Sequence, residues 1–356
     1  MASARRQASP KDDSVHTGIF NDIDLRLEGR QQSCLSIPWS VDRSPYYQVK
    51  IPIVRLRRGT GPRLLLMAGN HGDEYEGNMA LFQLARRLDV SAIRGEITIL
   101  PMLNAPAVLA GRRRSPLDGG NLNRAFPGLD SGTPTERLAH FLEHTLMPAH
   151  DIVLDLHSGG TSMAHLPTSL IERQGGAEHF ARMLELMLAM GMPYGFVAQN
   201  GAAAPTSLAA AARAGAIGLS GEFGGGGTVT PDSMVLTRSA IDNLLLATGA
   251  TDAPVLARTV RRAQTELLQL TSHAQAIYAT RPGWFEPARL PGDHVLKGQV
   301  AGWYHDFNRP DEAEQELTFG VSGVVLSQRL HAMSQAGDCL VQVAEPYEAE
   351  PDERKP

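Results

Sequence analysis

Three apolar runs in this chain end on side chains that can hold a metal ion or carry a proton. PRLLLMAG (62–69) leads into Asn70, His71, Gly72, Asp73 and Glu74; DIVLDLH (151–157) closes on His157; GAIGLSGEFG (215–224) carries Glu222. His71 and Glu74 stand three residues apart, which at a strand-to-helix turn lets both side chains face one point. Two imidazole nitrogens and one carboxylate oxygen make the usual three-ligand set of a catalytic zinc site, with a fourth position left for water. Zinc lowers the pKa of such a water from about 16 to about 7, so hydroxide becomes available as a nucleophile at neutral pH. The chemistry still needs a carboxylate that is not bound to metal, to accept the water proton and return it to the leaving group. Glu222 is the candidate for that task, and Asp155, on the same strand face as His157, is a candidate hydrogen-bond partner for a ligand. The two cysteines, Cys34 and Cys339, are too few for a disulfide scaffold, a four-thiolate zinc module or an iron–sulfur cluster, so His and carboxylate must hold any metal.

A second constellation is the loop GRRRSPLDGGNLNRAFPG (111–128), with Arg112, Arg113, Arg114, Asn121, Asn123 and Arg124 set among turn-forming Gly, Pro and Asp. A forked guanidinium suits a carboxylate, or an oxyanion developing at a tetrahedral carbon. The loop lacks the G-K-[ST] of a phosphate cradle, and GGGG (224–227) does not match G-x-G-x-x-G, so nucleotide binding is not expected. His140, Glu143 and His144 spell H-x-x-E-H, the inverted zinc-peptidase pattern. On a helical wheel both histidines fall opposite Phe141, Leu142 and Leu146, so a solvated helix face is the expectation there.

The elements that must position these groups alternate along the chain. The runs 62–69, 95–103, 151–157 and 215–224 read as buried strands bounded by Gly or Pro, and helical patterns fall at about 75–90, 134–149, 176–190, 205–214 and 237–248. That alternation predicts an α/β fold with a mostly parallel central sheet flanked by helices, and ligands in such sheets bind beyond the carboxyl ends of the strands. The segment 16–55 is β-rich and is expected to add edge strands. After about residue 272, Gly, Pro and short β-type runs replace helical patterns, so a smaller all-β C-terminal domain is expected. The expected division is a polar disordered tail at 1–15, a catalytic domain at 16–272, a β-rich domain at 273–346 and a second tail at 347–356. Hydrophobic content of 42%, charged content of 20% and a net charge of −5 describe an ordinary globule and argue against a polyanion binder. No apolar stretch is long enough to span a membrane, and MASARRQASPKDDS lacks the apolar core of a secretion signal, so a cytoplasmic location is the expectation.

Taken together, GNHGDEYEG (69–77), SPLDGGNLNRAFPG (115–128), DLHSGG (155–160) and GEFGGGG (221–227) resemble, in residues and order, the succinylglutamate desuccinylase/aspartoacylase family, relatives of zinc carboxypeptidases. The resemblance covers roughly 50–345, and within the family the chain is most similar to the N-alpha-acetyl-L-2,4-diaminobutyrate deacetylases of ectoine degradation. It implies one Zn2+ per subunit on His71, Glu74 and His157, with Glu222 as general base and acid. It also implies that an Arg before the S-P step polarises the scissile carbonyl, for which Arg113 fits best with Arg112 and Arg114 left open, and that Asn123 and Arg124 hold a substrate carboxylate. Many members have D-L-N-R where this chain has Asn121-Leu122-Asn123-Arg124. The implied activity is hydrolysis of an N-acylated small amino acid, with N-alpha-acetyl-L-2,4-diaminobutyrate first. The alternatives are a deacylase of the N-acetylaspartate or succinylglutamate type, a zinc carboxypeptidase, and a silent binding domain, against which the free Glu222 argues. The expected partner is a small-molecule N-acyl amino acid, with no nucleic acid and no membrane; a homo-oligomer is left open.

Overall fold

The computed structural model describes residues 18–257 and 264–348. The tail expected at 1–15, and all but the first two residues of that at 347–356, lie outside the described residues. A long hairpin, β1 (Gly29–Val41) and β2 (Ser44–Arg58), comes first. Strands and helices then alternate: β3 (Arg63–Ala68), α1 (Glu76–Arg87), β4 (Gly95–Leu100), α2 (Ala105–Ala110), α3 (Pro134–Phe141), β5 (Ile152–His157), β6 (Met163–His165), β7 (Thr168–Glu172), α4 (Ala177–Ala189), β8 (Tyr194–Ala198), α5 (Ser207–Arg213), β9 (Ile217–Glu222) and α6 (Pro231–Thr248). The rest is β10 (Glu266–Gln269), β11 (Ala276–Tyr278), β12 (Gly283–Pro287), β13 (His294–Val295), β14 (Val300–His305), β15 (Gln315–Thr318), β16 (Gly323–Arg329), β17 (Met333–Ser334) and β18 (Cys339–Pro346).

One large sheet runs in the order β1-β2-β4-β3-β5-β9-β7-β8-β10-β18-β16-β13. It is mixed, so the expectation of a mostly parallel sheet holds for its central block and not for the sheet as a whole. The parallel pairings are β4–β3, β3–β5, β5–β9, β7–β8 and β8–β10, whereas β1–β2, β2–β4, β9–β7, β10–β18, β18–β16 and β16–β13 are antiparallel. The four apolar runs of the sequence are the block β4-β3-β5-β9, whose strands are all mutually parallel. Strand direction reverses beyond them, at β7, because the chain passes from β5 to β7 through a short connection (158–167) that holds β6 and no crossover helix. A separate antiparallel sheet, β15-β14-β12-β17, stands beside it.

Both faces of the parallel block are covered, which is why β3, β4 and β5 read as continuous apolar runs. Leu64, Leu66 and Ala68 of β3 pack with α1, α4 and α6 through Leu81, Met183 and Ile241. The alternate residues Leu65 and Met67 pack on the other side with Leu138 of α3 and Ala210 of α5. Threonine caps set the starts of α3, α5 and α6: Thr133, Thr206 and Thr230 each accept a hydrogen bond from a first-turn N–H.

The hairpin is tied to this block by a buried ion pair. Arg55 of β2 is fully buried and donates Nε and Nη2 to the two carboxylate oxygens of Glu96 in β4, each at 2.8 Å. Its remaining donors reach the carbonyls of Asp24, Leu25 and Leu27, fastening the segment before β1 to the sheet. Removing one partner of a buried pair leaves an uncompensated charge, so Glu96→Ala is expected to lower unfolding stability by about 3–5 kcal/mol. Chemical denaturation compared with the wild type checks this; a loss below about 1 kcal/mol would mean that Arg55 finds water instead.

Candidate active site

Strand β3 ends at Ala68, and Gly69 turns the chain with a φ of +76°. Gly72 then packs so tightly on α2 that an added Cβ would lie 2.0 Å from the Ala107 backbone, so glycine is required there. The turn this produces aims His71 and Glu74 at the end of β5, where His157 stands level with Glu222 of β9 in the parallel register. Three separate strands therefore deliver the four groups to one edge of the sheet.

His71 Nδ1 lies 2.7 Å from Glu74 Oε1, and His157 Nδ1 lies 2.9 Å from Glu74 Oε2. One ligand atom from each of the three lies within 4.8 Å of the others, and all three residues are buried. The outer nitrogens are also engaged: His157 Nε2 is 2.9 Å from Asp155 Oδ2, and His71 Nε2 is 3.2 Å from Asn121 Oδ1. Asp155 in turn accepts from Asn70 Nδ2 at 2.9 Å and Ser207 Oγ at 2.6 Å. Outer partners of this kind fix which ring nitrogen is presented inward, as metal-ligating histidines require. Burial would raise the Glu74 carboxyl, but His157 and His71 outweigh it and hold it down to about 2. Burial would likewise lower His157, yet Asp155 and Glu74 outweigh it and raise it well above its ordinary value. Two buried carboxylates thus call for positive charge at one point, and a divalent cation with nitrogen and oxygen ligands fits that donor set.

Glu222 stands apart from these contacts. Its Oε2 is buried without a hydrogen-bond partner among the described residues. Burial pushes its carboxyl up, only partly offset by His165, and the neighbouring Glu74 pushes it further.

A cavity of about 450 Å³ joins His71, Glu74, His157 and Glu222 to Arg113, Asn123 and Arg124. Of the three consecutive arginines, Arg113 lines this cavity, with Nη1 at 3.4 Å from His71 Nδ1 and 3.6 Å from Glu74 Oε1. The Arg112 carbonyl instead accepts the Gly72 N–H at 2.9 Å. Asn123 Oδ1 accepts the Ser207 N–H at 2.8 Å, which ties the loop to the first turn of α5. Arg124 Nη1 donates to the Asn123 carbonyl at 2.7 Å; burial, then the nearby Arg113, lowers its pKa, so two guanidiniums share one wall.

The sequence reading missed several contributors. Ser207 lies in a segment read only as helix, and its contacts with Asp155 and Asn123 come from folding. Asn121, at the position where the chain departs from D-L-N-R, still supplies an oxygen to His71. Ser327 of β16 and Gln342 of β18 line the cavity from the C-terminal strands. Asn70 carried a legible signal, since it sits beside His71 at a strand end.

The H-x-x-E-H residues form no second centre. Glu143 pairs with Arg213 through both oxygens at 2.8 Å, and the two imidazoles stack with centroids 4.2 Å apart. His144 is exposed as expected, whereas His140, in the last turn of α3, is half-buried; the chain then widens into a π-helical turn at Leu142–Leu146. A His140→Ala/His144→Ala double variant is expected to keep the wild-type metal content, measured by mass spectrometry of the dialysed protein; loss of metal would overturn the assignment to His71, Glu74 and His157.

The profile of the succinylglutamate desuccinylase/aspartoacylase catalytic domain matches residues 60–248. The chain belongs to this family. A member from Halomonas elongata, an N-alpha-acetyl-L-2,4-diaminobutyric acid deacetylase, is 37% identical over 92% of this chain and 95% of its own length. Among solved structures, a succinylglutamate desuccinylase/aspartoacylase from Rhodobacter sphaeroides superposes with a TM-score of 0.87 at 34% identity, over 93% of this chain and 100% of that one. The product-bound ectoine utilization protein EutE (DoeB) of Ruegeria pomeroyi gives 0.86 at 30% identity, over 92% and 99%. As a desuccinylase/aspartoacylase family member the chain is an enzyme, an amidohydrolase of the N-acyl amino acid deacylase kind. Among the described residues no helix is long and apolar enough to cross a membrane.

Proposed function

We propose that this protein is a zinc-dependent deacetylase of N-alpha-acetyl-L-2,4-diaminobutyrate, releasing acetate and 2,4-diaminobutyrate in ectoine breakdown. The observation that carries the reading is Glu222, half-buried with its Oε2 buried and without a hydrogen-bond partner among the described residues, beside the His71–Glu74–His157 cluster in a cavity shared with two guanidiniums. His71 and His157 would hold zinc through Nδ1 and Glu74 through its carboxylate. A zinc ion held there supplies Lewis acidity, acidifying water and polarising the acyl carbonyl. Glu222 accepts the proton of the attacking water and delivers it to the departing amine. Arg113 supports the oxyanion that develops at the tetrahedral carbon, for which a single donor is worth about 10²–10³ in rate. Arg124 and the amide end of Asn123 hold the α-carboxylate, since the Asn123 oxygen is already committed to Ser207. The relatives support the substrate: one is named as the diaminobutyrate deacetylase and another as an ectoine utilization protein. The modest cavity and its C-terminal wall of Ser327 and Gln342 favour a small amino acid over the end of a peptide chain.

The test is release of the free amine by the zinc-loaded protein from N-alpha-acetyl-L-2,4-diaminobutyrate, run beside N-acetylaspartate, N-succinylglutamate and short peptides. The first compound is expected to show the highest kcat/KM. Faster turnover of either acidic substrate, or of peptides, would overturn the proposed substrate.

A further inference from the structure

Glu172 closes β7 and lines the same cavity, yet nothing in the chemistry above uses it. It is only 1% exposed, and neither of its carboxylate oxygens has a hydrogen-bond partner among the described residues. The cations around it are committed elsewhere. Arg213 gives Nε and Nη2 to Glu143 and Nη1 to the carbonyls of Ala202 and Ala204. Arg173 follows on the opposite strand face, with Nη1 on the Tyr347 hydroxyl and its guanidinium over the Phe180 ring. The Gln174 and Asn200 side chains and the Asn200 and Gly201 amides lie near enough to favour the charged carboxyl, but burial outweighs them and its pKa is raised. A carboxylate withdrawn from water without a partner is costly, and the cost falls when a cation arrives.

We infer that Glu172 is the specificity-determining residue of the cavity, pairing with an ammonium group carried on the side chain of the acylated amino acid. Thr168 of β7 stands opposite Glu222, and Leu170 and Glu172 follow on the same face. The four strand steps from Thr168 to Glu172 span about 13 Å of backbone. The cavity therefore has a carboxylate-seeking wall at Asn123 and Arg124 and an ammonium-seeking end at Glu172. A second carboxylate on the substrate would meet Glu172 as a like charge, which disfavours N-acetylaspartate and succinylglutamate. The inference rests on the deacylase reading and adds to it the residue that reads the side chain.

The experiment compares kcat/KM for N-alpha-acetyl-L-2,4-diaminobutyrate and for N-acetyl-L-norvaline, which replaces the ammonium by a methyl group, in the wild type and in Glu172→Gln. A hydrogen-bonded charge pair of this kind carries a preference of about 10- to 100-fold. The wild type is expected to prefer the cationic substrate by that factor, and Glu172→Gln to lose most of the preference through KM. A wild type that cleaves both compounds equally well, or a folded Glu172→Gln that keeps the preference, overturns the inference while leaving the deacylase reading intact. A preference for N-alpha-acetyl-ornithine over the diaminobutyrate compound supports it and overturns the substrate named above. A wild type that cleaves none of them overturns both. The wild-type comparison stands even if the variant fails to fold.

Discussion

Glu222→Gln is expected to lower turnover by about 10²–10⁴-fold while leaving the metal content of the protein unchanged. The amide copies the shape of the carboxylate but cannot take a proton from water, and Glu222 makes none of the contacts that join His71, Glu74 and His157. Its burial raises the carboxyl pKa, which makes it a better acceptor of the water proton than an ordinary carboxylate. Acetate release and metal analysis on one preparation check both halves of the expectation. Full activity would mean that another group is the base, and His165, the next titratable neighbour on the cavity wall, would be the first to examine.

His157→Ala is expected to weaken metal binding by at least about 100-fold and to take turnover down with it. Loss of a residue that merely orients a ligand already costs about 10–100-fold, and removal of a ligand itself costs no less. The substitution also strips Asp155 of its charged partner, although Asn70 and Ser207 continue to donate to it. Competition with a chelator of known affinity measures the first effect, and circular dichroism verifies that the sheet survives. Retention of wild-type affinity would show that the cluster is a hydrogen-bonded structural knot. The two substitutions divide the site: one removes chemistry and spares the metal, the other removes the metal.

The parallel block was legible because strands covered on both faces cannot alternate. LLLMA, ITIL and IVLDL are therefore long apolar runs, and the polar residues that interrupt them at their ends mark the edge where chemistry sits. Strands β7 and β8 were not legible. TSLIE and YGFVA are short, and TSLIE follows no crossover helix, so the reversal of direction at β7 left no trace in periodicity. The three candidate ligands were found from type and spacing, whereas Ser207 and Glu172 were not. Ser207 acts through partners distant in sequence, and Glu172 within TSLIERQGG reads as one more surface charge until the fold buries it.

The seating of the C-terminal strands on the main sheet has a consequence for how the protein is made. Strand β16 pairs with β6, directly after His157, and β18 pairs with β10, so the last strands of the chain hydrogen-bond to segments translated long before them. During synthesis His71, Glu74 and His157 have all emerged while the wall formed by Ser327 and Gln342 is still untranslated. Non-local pairing of this sort closes late. The nascent chain thus possesses its candidate metal ligands before it possesses a complete cavity, whose last wall is added only as these strands leave the ribosome.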